Sequence, residues 1–338
     1  MQHSILAVGD SYLSTDDMAR ILPELGDGFR VSYRTVDADD RPPLEHVREY
    51  QGSPTAVSGW LHDEDVLLVH AAPVTAELLD AHPGVRVVAC ARGGAVNVDL
   101  AAARARGVLV LNTPAKNAES VADLTMAAIH QLFRGVHPAN AWLQARARAG
   151  ETHLDSTFVG GEWIAREPRG FTLGLVGYGA IGTRIARQAL AYGMPVLVHD
   201  PYATTTDDGV AFTDRDSLLA RSDVVSLHAK ATEETRHLAD AHFFAAMKPG
   251  AFFINTARES LLDEDALLDA LLAGRVAGAA LDVCEPDGRW PEFALMPQVI
   301  LTPHLGGATV QTQERSLRML VGDLIRWAAG EDPLRRVA

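Results

Sequence analysis

The stretch from Thr172 to Asp200 constrains the fold of this chain more than any other. An apolar run, Thr172-Leu-Gly-Leu-Val176, gives way at once to Gly177-Tyr178-Gly179-Ala180-Ile181-Gly182. Helical spacing follows from Ile181 to about Tyr192, and then a second apolar run, Val196-Leu-Val-His-Asp200. A short apolar run that ends in glycines suits a parallel strand buried on both faces. In that setting Gly177 permits a tight turn, Gly179 lets a pyrophosphate approach the backbone, and Gly182 lets the helix pack close to the strand. The helix then directs its N-terminal N–H groups and its dipole at the phosphates. Asp200 ends the second strand roughly 20 residues further on, where a carboxylate can accept hydrogen bonds from an adenosine ribose.

A glycine triad alone also occurs in plain strand-to-helix turns. Strand, triad, helix, strand and acid in register point to a bound dinucleotide. Asp200 repels a 2′-phosphate, and Pro201 and Tyr202 after it bring no cation to receive one. The reading is therefore NAD in preference to NADP.

The chain has 338 residues, enough for about two domains. Its 47% hydrophobic and 22% charged residues are ordinary for a globular protein. A net charge of −14 argues against a nucleic-acid-binding field, and the short basic run at Arg146 and Arg148 reads as a solvated helix face. No apolar run approaches the roughly 20 residues of a membrane span. The N-terminal residues read as a first strand and not as a signal peptide. Cys90 and Cys284 sit in apolar surroundings. They are expected to be buried free thiols, which suits a reducing, cytoplasmic compartment. No metal is expected.

Taken in order, the first third alternates strands and helices, as a small parallel α/β domain does. Strands are predicted at 5–8, 31–33, 66–69, 85–90 and 108–111, with helices near 16–22, 44–51, 76–81 and 98–106. Asn97 is a candidate cap for the last of these helices, and Gly107 its terminator. The polar, proline-bearing region 36–54 reads as a surface loop around the helix at 44–51. A turn-rich connector at 112–120 is a candidate hinge. Helices are predicted at 121–133 and 139–149, broken apart by Gly135 and Pro138. Beyond Asp200, strands are predicted at 224–228, 252–255, 277–283 and 299–301, with helices ending near 220, 247 and 273. A final helix, 310–329, is expected to return to the first domain and make it discontinuous.

Three segments lie just past predicted strand ends, where open α/β sheets place ligands. They are Asn255-Thr256-Ala257-Arg258, then Ala280-Leu-Asp282-Val-Cys-Glu285-Pro, then Thr302-Pro-His304-Leu-Gly306-Gly. An arginine, a carboxylate and a histidine there suit reduction of a 2-oxo acid. Arg258 would hold the substrate carboxylate in a two-pronged ion pair. His304 would give a proton to the carbonyl oxygen and take it back in oxidation. A glutamate beside it would favour the imidazolium, and Asp282 would help seat the nicotinamide. Each residue also has a plainer use. Arg258 can form a surface ion pair, His304 can end a strand, Asp282 can accept loop N–H groups, and Glu285-Pro286 can begin a turn. His228, at another strand end, reads as a structural or cofactor-side residue.

These segments resemble the D-isomer-specific 2-hydroxyacid dehydrogenases, the group that includes D-3-phosphoglycerate dehydrogenase. The motifs that carry the resemblance are Asn112-Thr-Pro, Glu119-Ser-Val-Ala-Asp123, Gly174 to Gly182, Val225-Ser-Leu-His228, Ile254-Asn-Thr-Ala-Arg258, Ala280-Leu-Asp282 and Leu301 to Thr309. The resemblance implies an α/β fold of two Rossmann-like or flavodoxin-like parallel-sheet domains with a cleft between them, and a homodimer. Residues 1–115 with 308–338 would form the discontinuous substrate domain, and 116–307 the NAD-binding Rossmann domain. His228, Ala229, Lys230, Thr256, Ala257, Asp282 and Gly306 would join the glycine turn against the cofactor. Arg92, Gly93 and Gly94 would meet the substrate carboxylate. Arg258, Glu285 and His304 would be the catalytic set.

The chain departs from the family's pattern in places. The segment from Asp282 to the Glu285-Pro286 pair is two residues short. Aligned from downstream the catalytic acid is Glu285; counted from Asp282 it is Asp287. Arg92 adds a charge to the substrate loop, Glu259 follows Arg258 in place of a small residue, Lys230 stands for a usual proline, and Lys116 occupies a commonly small position in the connector. The chain stops soon after its last helix, so the regulatory domains of long phosphoglycerate dehydrogenases are expected to be absent. The other class of reading is a dinucleotide-sensing interaction protein, corepressor-like, on the same fold.

Overall fold

The computed structural model describes residues 2–155, 157–203 and 209–337. Met1 and Ala338, the ends expected for the substrate domain, lie outside them. Two compact units emerge, Met1–Asn117 with Ala308–Ala338, and Ala118–Gly307.

The first unit runs β1 (His3–Gly9), α1 (Thr15–Ile21), β2 (Phe29–Thr35), α2 (Pro54–Trp60), β3 (Val66–Val69), α3 (Ala76–Ala81), β4 (Val87–Cys90), α4 (Leu100–Ala105) and β5 (Leu109–Leu111). Its strands are all parallel, in the order β2-β1-β3-β4-β5. Side chains alternate between two apolar layers, as a doubly covered strand requires. Leu6, Val8, Leu67 and Val69 enter one layer; Ile5, Ala7, Val66 and Leu68 enter the other. The last helix of the chain, Val310–Ala328, covers the second layer with Leu317, Leu320, Val321 and Leu324. That spacing is one face of a helix. Each fully buried leucine contributes about 1.5–3 kcal/mol relative to exposure.

Two expectations fail in this unit. Residues 44–51 form no helix; a helix begins instead at Pro54, capped by Ser53. The segment's N–H groups are taken by distant carbonyls: Arg48 donates to Val96 O at 2.8 Å and Gln51 to Ala71 O at 3.0 Å. Glu49 adopts φ +51 between them. Helix α4 is capped by Asp99, whose carboxylate accepts from Ala102 N–H at 2.9 Å. Asn97 is fully buried and donates to Ala72 O at 2.8 Å, so it braces a loop.

The second unit runs α5 (Ala118–Arg134), α6 (Val136–Arg148), β6 (Leu173–Val176), α7 (Ala180–Ala191), β7 (Val196–His199), β8 (Val210–Phe212), α8 (Arg215–Arg221), β9 (Val224–Leu227), α9 (Ala241–Ala246), β10 (Ala251–Asn255), α10 (Glu264–Leu272), β11 (Val276–Leu281), α11 (Trp290–Leu295) and β12 (Val299–Leu301). All strands are parallel, in the order β12-β11-β10-β9-β6-β7-β8. The order reverses between β6 and β9, which is where such sheets bind dinucleotides.

Gly135, at φ +59, separates α5 from α6. Pro138 does not break the chain there. It sits in the first turn of α6, where a missing N–H costs nothing. Strand β8 and helix α11 were not foreseen; α11 anchors Phe293, fully buried, while Trp290 stays 47% exposed.

Candidate active site

The three glycines after β6 meet different steric demands. Gly177 has φ +103, and a Cβ on it would lie 2.5 Å from the His228 carbonyl carbon and 2.6 Å from Ala229 N. No side chain fits there, so the turn after β6 lies directly on the turn after β9. A Cβ on Gly182 would lie 2.4 Å from Gly177 O, so bare backbone is what lets α7 pack on the turn. A Cβ on Gly179 would meet nothing within 4 Å. Gly179 precedes the first residue of α7 and offers no side-chain cap. The N–H groups of Ala180, Ile181 and Gly182 open this helix, the arrangement that suits a phosphate. The residues present therefore fit a dinucleotide: packing explains two glycines, and the third stands beside open space.

Asp200 closes β7 with one carboxylate oxygen 2.6 Å from Tyr178 N and the other 2.8 Å from Tyr202 N. It thus holds the glycine turn, and each oxygen keeps a further lone pair for another donor.

His228 follows β9. The residue is half-buried; Nε2 lies 2.8 Å from Ser226 Oγ, while Nδ1 is sealed and has no partner among the described residues. Burial pushes its pKa down to about 3, so the ring is neutral near pH 7. Lys230 is exposed, and its carbonyl accepts from Thr235.

After β10, Asn255 shapes the turn by accepting from Ala257 N–H at 3.0 Å and donating to Arg258 O at 2.9 Å. Thr256 is buried and pairs with Thr125 at 2.9 Å. Arg258 is exposed and donates to Ala257 O at 2.7 Å. It forms no ion pair among the described residues, so the surface ion-pair use does not apply.

After β11, Asp282 is buried and its carboxylate is engaged by the loop after β12. It accepts from Thr302 Oγ1 at 2.5 Å, Leu305 N–H at 2.7 Å and Gly306 N–H at 2.7 Å. The plainer use of this residue, as an acceptor for loop N–H groups, is the one observed. His304 stands in that loop at φ +56, a left-handed conformation that costs a non-glycine residue about 1–3 kcal/mol. Its ring is exposed and makes no hydrogen bond among the described residues.

The expected acid is not paired with His304: neither Glu285 nor Asp287 forms an ion pair with it among the described residues. Glu285 is half-buried and Asp287 exposed. The shortened loop is organised by a residue that sequence reasoning missed. Glu264, buried at the start of α10, accepts from Glu285 N–H at 2.8 Å and Arg289 N–H at 2.5 Å. An acid in the first turn of a helix that follows a strand-end loop was the available signal.

Cys284, beside it, is half-buried; burial and then the charges of Glu264, Asp282 and Glu259 push its thiol up to about 12.

In the first unit, Arg92, Gly93 and Gly94 follow β4. Arg92 donates to Glu49 O at 2.5 Å and is ion-paired with the Glu49 carboxylate. Gly93 and Gly94 are exposed.

Comparison with known proteins gives these loops a family. The model of the D-isomer specific 2-hydroxyacid dehydrogenase, NAD binding domain, matches residues 126–306. Hydroxypyruvate reductase of Thermotoga maritima is 37% identical over 256 residues, covering 74% of this chain and 80% of the relative. D-3-phosphoglycerate dehydrogenase of Mycobacterium tuberculosis is 40% identical over 295 residues, covering 86% of this chain and 51% of the relative. The chain thus spans about half the length of that relative. Among solved structures, D-lactate dehydrogenase of Aquifex aeolicus, complexed with NAD and lactic acid, is 29% identical with a TM-score of 0.70, covering 97% of this chain and 96% of that one. With more than half of its residues matched by the family model, the chain belongs to the D-isomer specific 2-hydroxyacid dehydrogenases, oxidoreductases that act on the CH–OH group of their donors.

Proposed function

We propose that the protein is an NAD-dependent D-2-hydroxyacid dehydrogenase that also runs as a 2-oxoacid reductase. The observation that carries this is the state of two side chains. Among the described residues, Arg258 and His304 stand without ionic partners at the carboxyl edge of the sheet that bears the glycine turn. A bound nicotinamide supplies hydride to the substrate C2, or takes it from there. Arg258 receives the substrate carboxylate with its planar fork. His304 gives its proton to the carbonyl oxygen in reduction and recovers it in oxidation. Hydride at carbon and proton at oxygen together complete the 2-hydroxy acid. Glu285, half-buried, is the better choice than exposed Asp287 for the acid that favours the imidazolium.

For the cofactor, Gly177 to Gly182 and the start of α7 would take the pyrophosphate, and Asp200 the ribose. Asp200 favours NAD over NADP, because a carboxylate repels a 2′-phosphate. His228, Ala229, Lys230, Thr256, Ala257 and Gly306 would line the cofactor. Asp282 would help seat the nicotinamide end by holding the His304 loop. Arg92, Gly93 and Gly94 would serve the substrate.

A homodimer is part of this reading. Helix α6 buries none of its residues. Val136 is 50% exposed, Phe158 79% and Ile164 89%, three apolar side chains of the second unit that a second copy of the chain would cover. A cytoplasmic setting suits the two free cysteines. The deciding experiment is an absorbance assay of NADH and NADPH oxidation against glyoxylate, hydroxypyruvate, phosphohydroxypyruvate and pyruvate. NADH-dependent turnover of one or more is expected. Tight cofactor binding with no turnover on a broad 2-oxo acid panel would overturn the reading.

A further inference from the structure

Glu264 is a carboxylate held almost wholly out of water, and both of its oxygens serve another segment of the chain. It is the first residue of α10 and only 7% exposed. Asp263 before it already caps the helix, accepting from Ala266 N–H at 3.1 Å. Glu264 is thus free to turn away from its own helix. One oxygen accepts from Glu285 N–H at 2.8 Å and the other from Arg289 N–H at 2.5 Å. A buried charge is costly unless it is well bonded, and a charged acceptor makes each such bond stronger than a neutral one does. The start of a helix also favours an acid.

The two N–H groups belong to the two ends of one turn. Gly288 N–H donates to Glu285 O at 3.0 Å and closes it, while Pro286 and Asp287 stand exposed at its tip. Gly288 has no positive φ, so backbone conformation does not call for glycine there. Space does: a Cβ would overlap Glu264 Oε2 and lie 3.0 Å from Glu285 Cβ. Arg289 also reaches Asp265 on α10 at 2.6 Å, a solvent-exposed pair that adds little by itself. The buried carboxylate is therefore what fixes this turn, in the segment that is two residues short of the family's pattern.

The clamp leaves the Glu285 side chain unspent. The residue is half-buried, yet its carboxylate forms no hydrogen bond or ion pair among the described residues. Cys284 beside it brings no charge near pH 7, because burial and then the charges of Glu264, Asp282 and Glu259 push its thiol up to about 12. A fixed backbone carrying a free carboxylate suits a group that must meet its partner in one geometry.

We propose that Glu264 is the positioning residue for Glu285. Its carboxylate sets the shortened loop so that Glu285, and not the acid at the tip of the turn, meets the His304 imidazole during turnover. The inference rests on the dehydrogenase reading above. In this role Glu264 touches neither substrate nor cofactor and acts on the chemical step through Glu285 alone.

A double-mutant cycle tests it, with Glu264→Gln, Glu285→Gln and the pair assayed with NADH and the best 2-oxo acid of the panel. Glutamine keeps the shape and one acceptor, but it turns an amide donor toward one of the two N–H groups. Glu264→Gln should lower kcat by about tenfold to 10²-fold. KM for the 2-oxo acid and Kd for NADH should stay within about twofold, since Arg258 and the glycine turn lie outside the clamp. In the Glu285→Gln background the same change should cost less than about twofold in kcat, because no acid is left to place. A merely structural role would lower the melting temperature and reduce kcat by one factor in both backgrounds. Should Glu264→Gln fail to fold, Gly288→Ala presses on the same carboxylate from the loop side and should give the same pattern. Equal losses in the two backgrounds, or an unchanged kcat in Glu264→Gln, would overturn the proposal. So would a larger loss in Asp287→Asn than in Glu285→Gln. Any of these results with a wild type that turns over removes the role of Glu264 and leaves the dehydrogenase. A wild type without turnover on any 2-oxo acid removes both.

Discussion

The main-chain N–H of His304 donates to the main-chain carbonyl of Asp282 at 2.9 Å, so the end of β11 fixes the residue that follows β12. The Asp282 carboxylate extends the hold to Thr302, Leu305 and Gly306. Asp282→Asn would turn an amide donor toward one of these donors and leave it unpaired. We expect a loss of about 1–3 kcal/mol in stability. A displaced imidazole should also lower kcat by up to about 10²-fold. Chemical denaturation and steady-state kinetics check both. A variant with wild-type kcat would show that Asp282 does not position His304.

Gly177 and Gly179 should respond oppositely to alanine. Gly177→Ala sets a Cβ 2.5 Å from backbone at φ +103, so the fold itself should suffer, by at least about 1–3 kcal/mol from the backbone alone. Gly179→Ala adds a methyl to open space at φ −79. That variant should melt like wild type and bind NADH about tenfold more weakly, a cost of about 1.4 kcal/mol. Thermal melts paired with a fluorescence titration of NADH separate the two outcomes. Unchanged NADH affinity in Gly179→Ala would mean that the cofactor does not approach this turn.

His304→Ala should cost about 10²–10⁴ in turnover, the range for a positioned proton donor. Arg258→Lys keeps a charge but loses the planar fork, so KM should rise and kcat fall together. Both are read with NADH and the best 2-oxo acid of the panel. Normal rates in His304→Ala would remove that residue from the chemistry.

What could be read from residue order was local in its physics. The positive φ of Gly177 and the close packing of Gly182 on Gly177 O belong to one strand–turn–helix unit, so their spacing carried the information, whereas the contact of Gly177 with the turn after β9 has no local sign. Residues 44–51 have helical spacing, yet their N–H groups bond to Val96 and Ala71, partners that no local pattern reveals. The partners that Asp282 takes, Thr302, Leu305 and Gly306, lie 20 or more residues further on, out of reach of local spacing. Glu264 was missed for the same reason: it stands 21 residues before the Glu285 N–H that it binds. Strand β8 has three residues and a half-exposed pattern, too little for periodicity to register.

Asp200 gives a test of cofactor choice. Its carboxylate holds Tyr178 and Tyr202 N–H, so Asp200→Asn keeps one acceptor and removes the negative charge. The ratio of kcat/KM for NADPH over NADH should rise by about tenfold, the worth of about 1.4 kcal/mol of relieved repulsion toward a 2′-phosphate. Kinetics with both cofactors at fixed substrate measure it. An unchanged ratio would mean that Asp200 has no part in the discrimination.

The buried imidazole of His228 sets a sign for acid stability. Burial pushes its folded pKa to about 3, against an ordinary value of 6.5. Between those values the unfolded chain binds a proton that the folded chain refuses, so stability falls as pH falls. The contribution is full above about pH 6.5 and is lost progressively toward pH 3. His70, also pushed down by burial, adds with the same sign. Asp10, held below its usual range, adds a loss only below about 3.8, as pH falls toward its folded value. His228→Asn keeps a polar group near Ser226 but has nothing to titrate. Its melting temperature should begin lower at pH 7 and decline less steeply than wild type between about pH 6 and pH 4. Melts across that range decide the matter: parallel declines in the two proteins would assign the acid sensitivity to other groups.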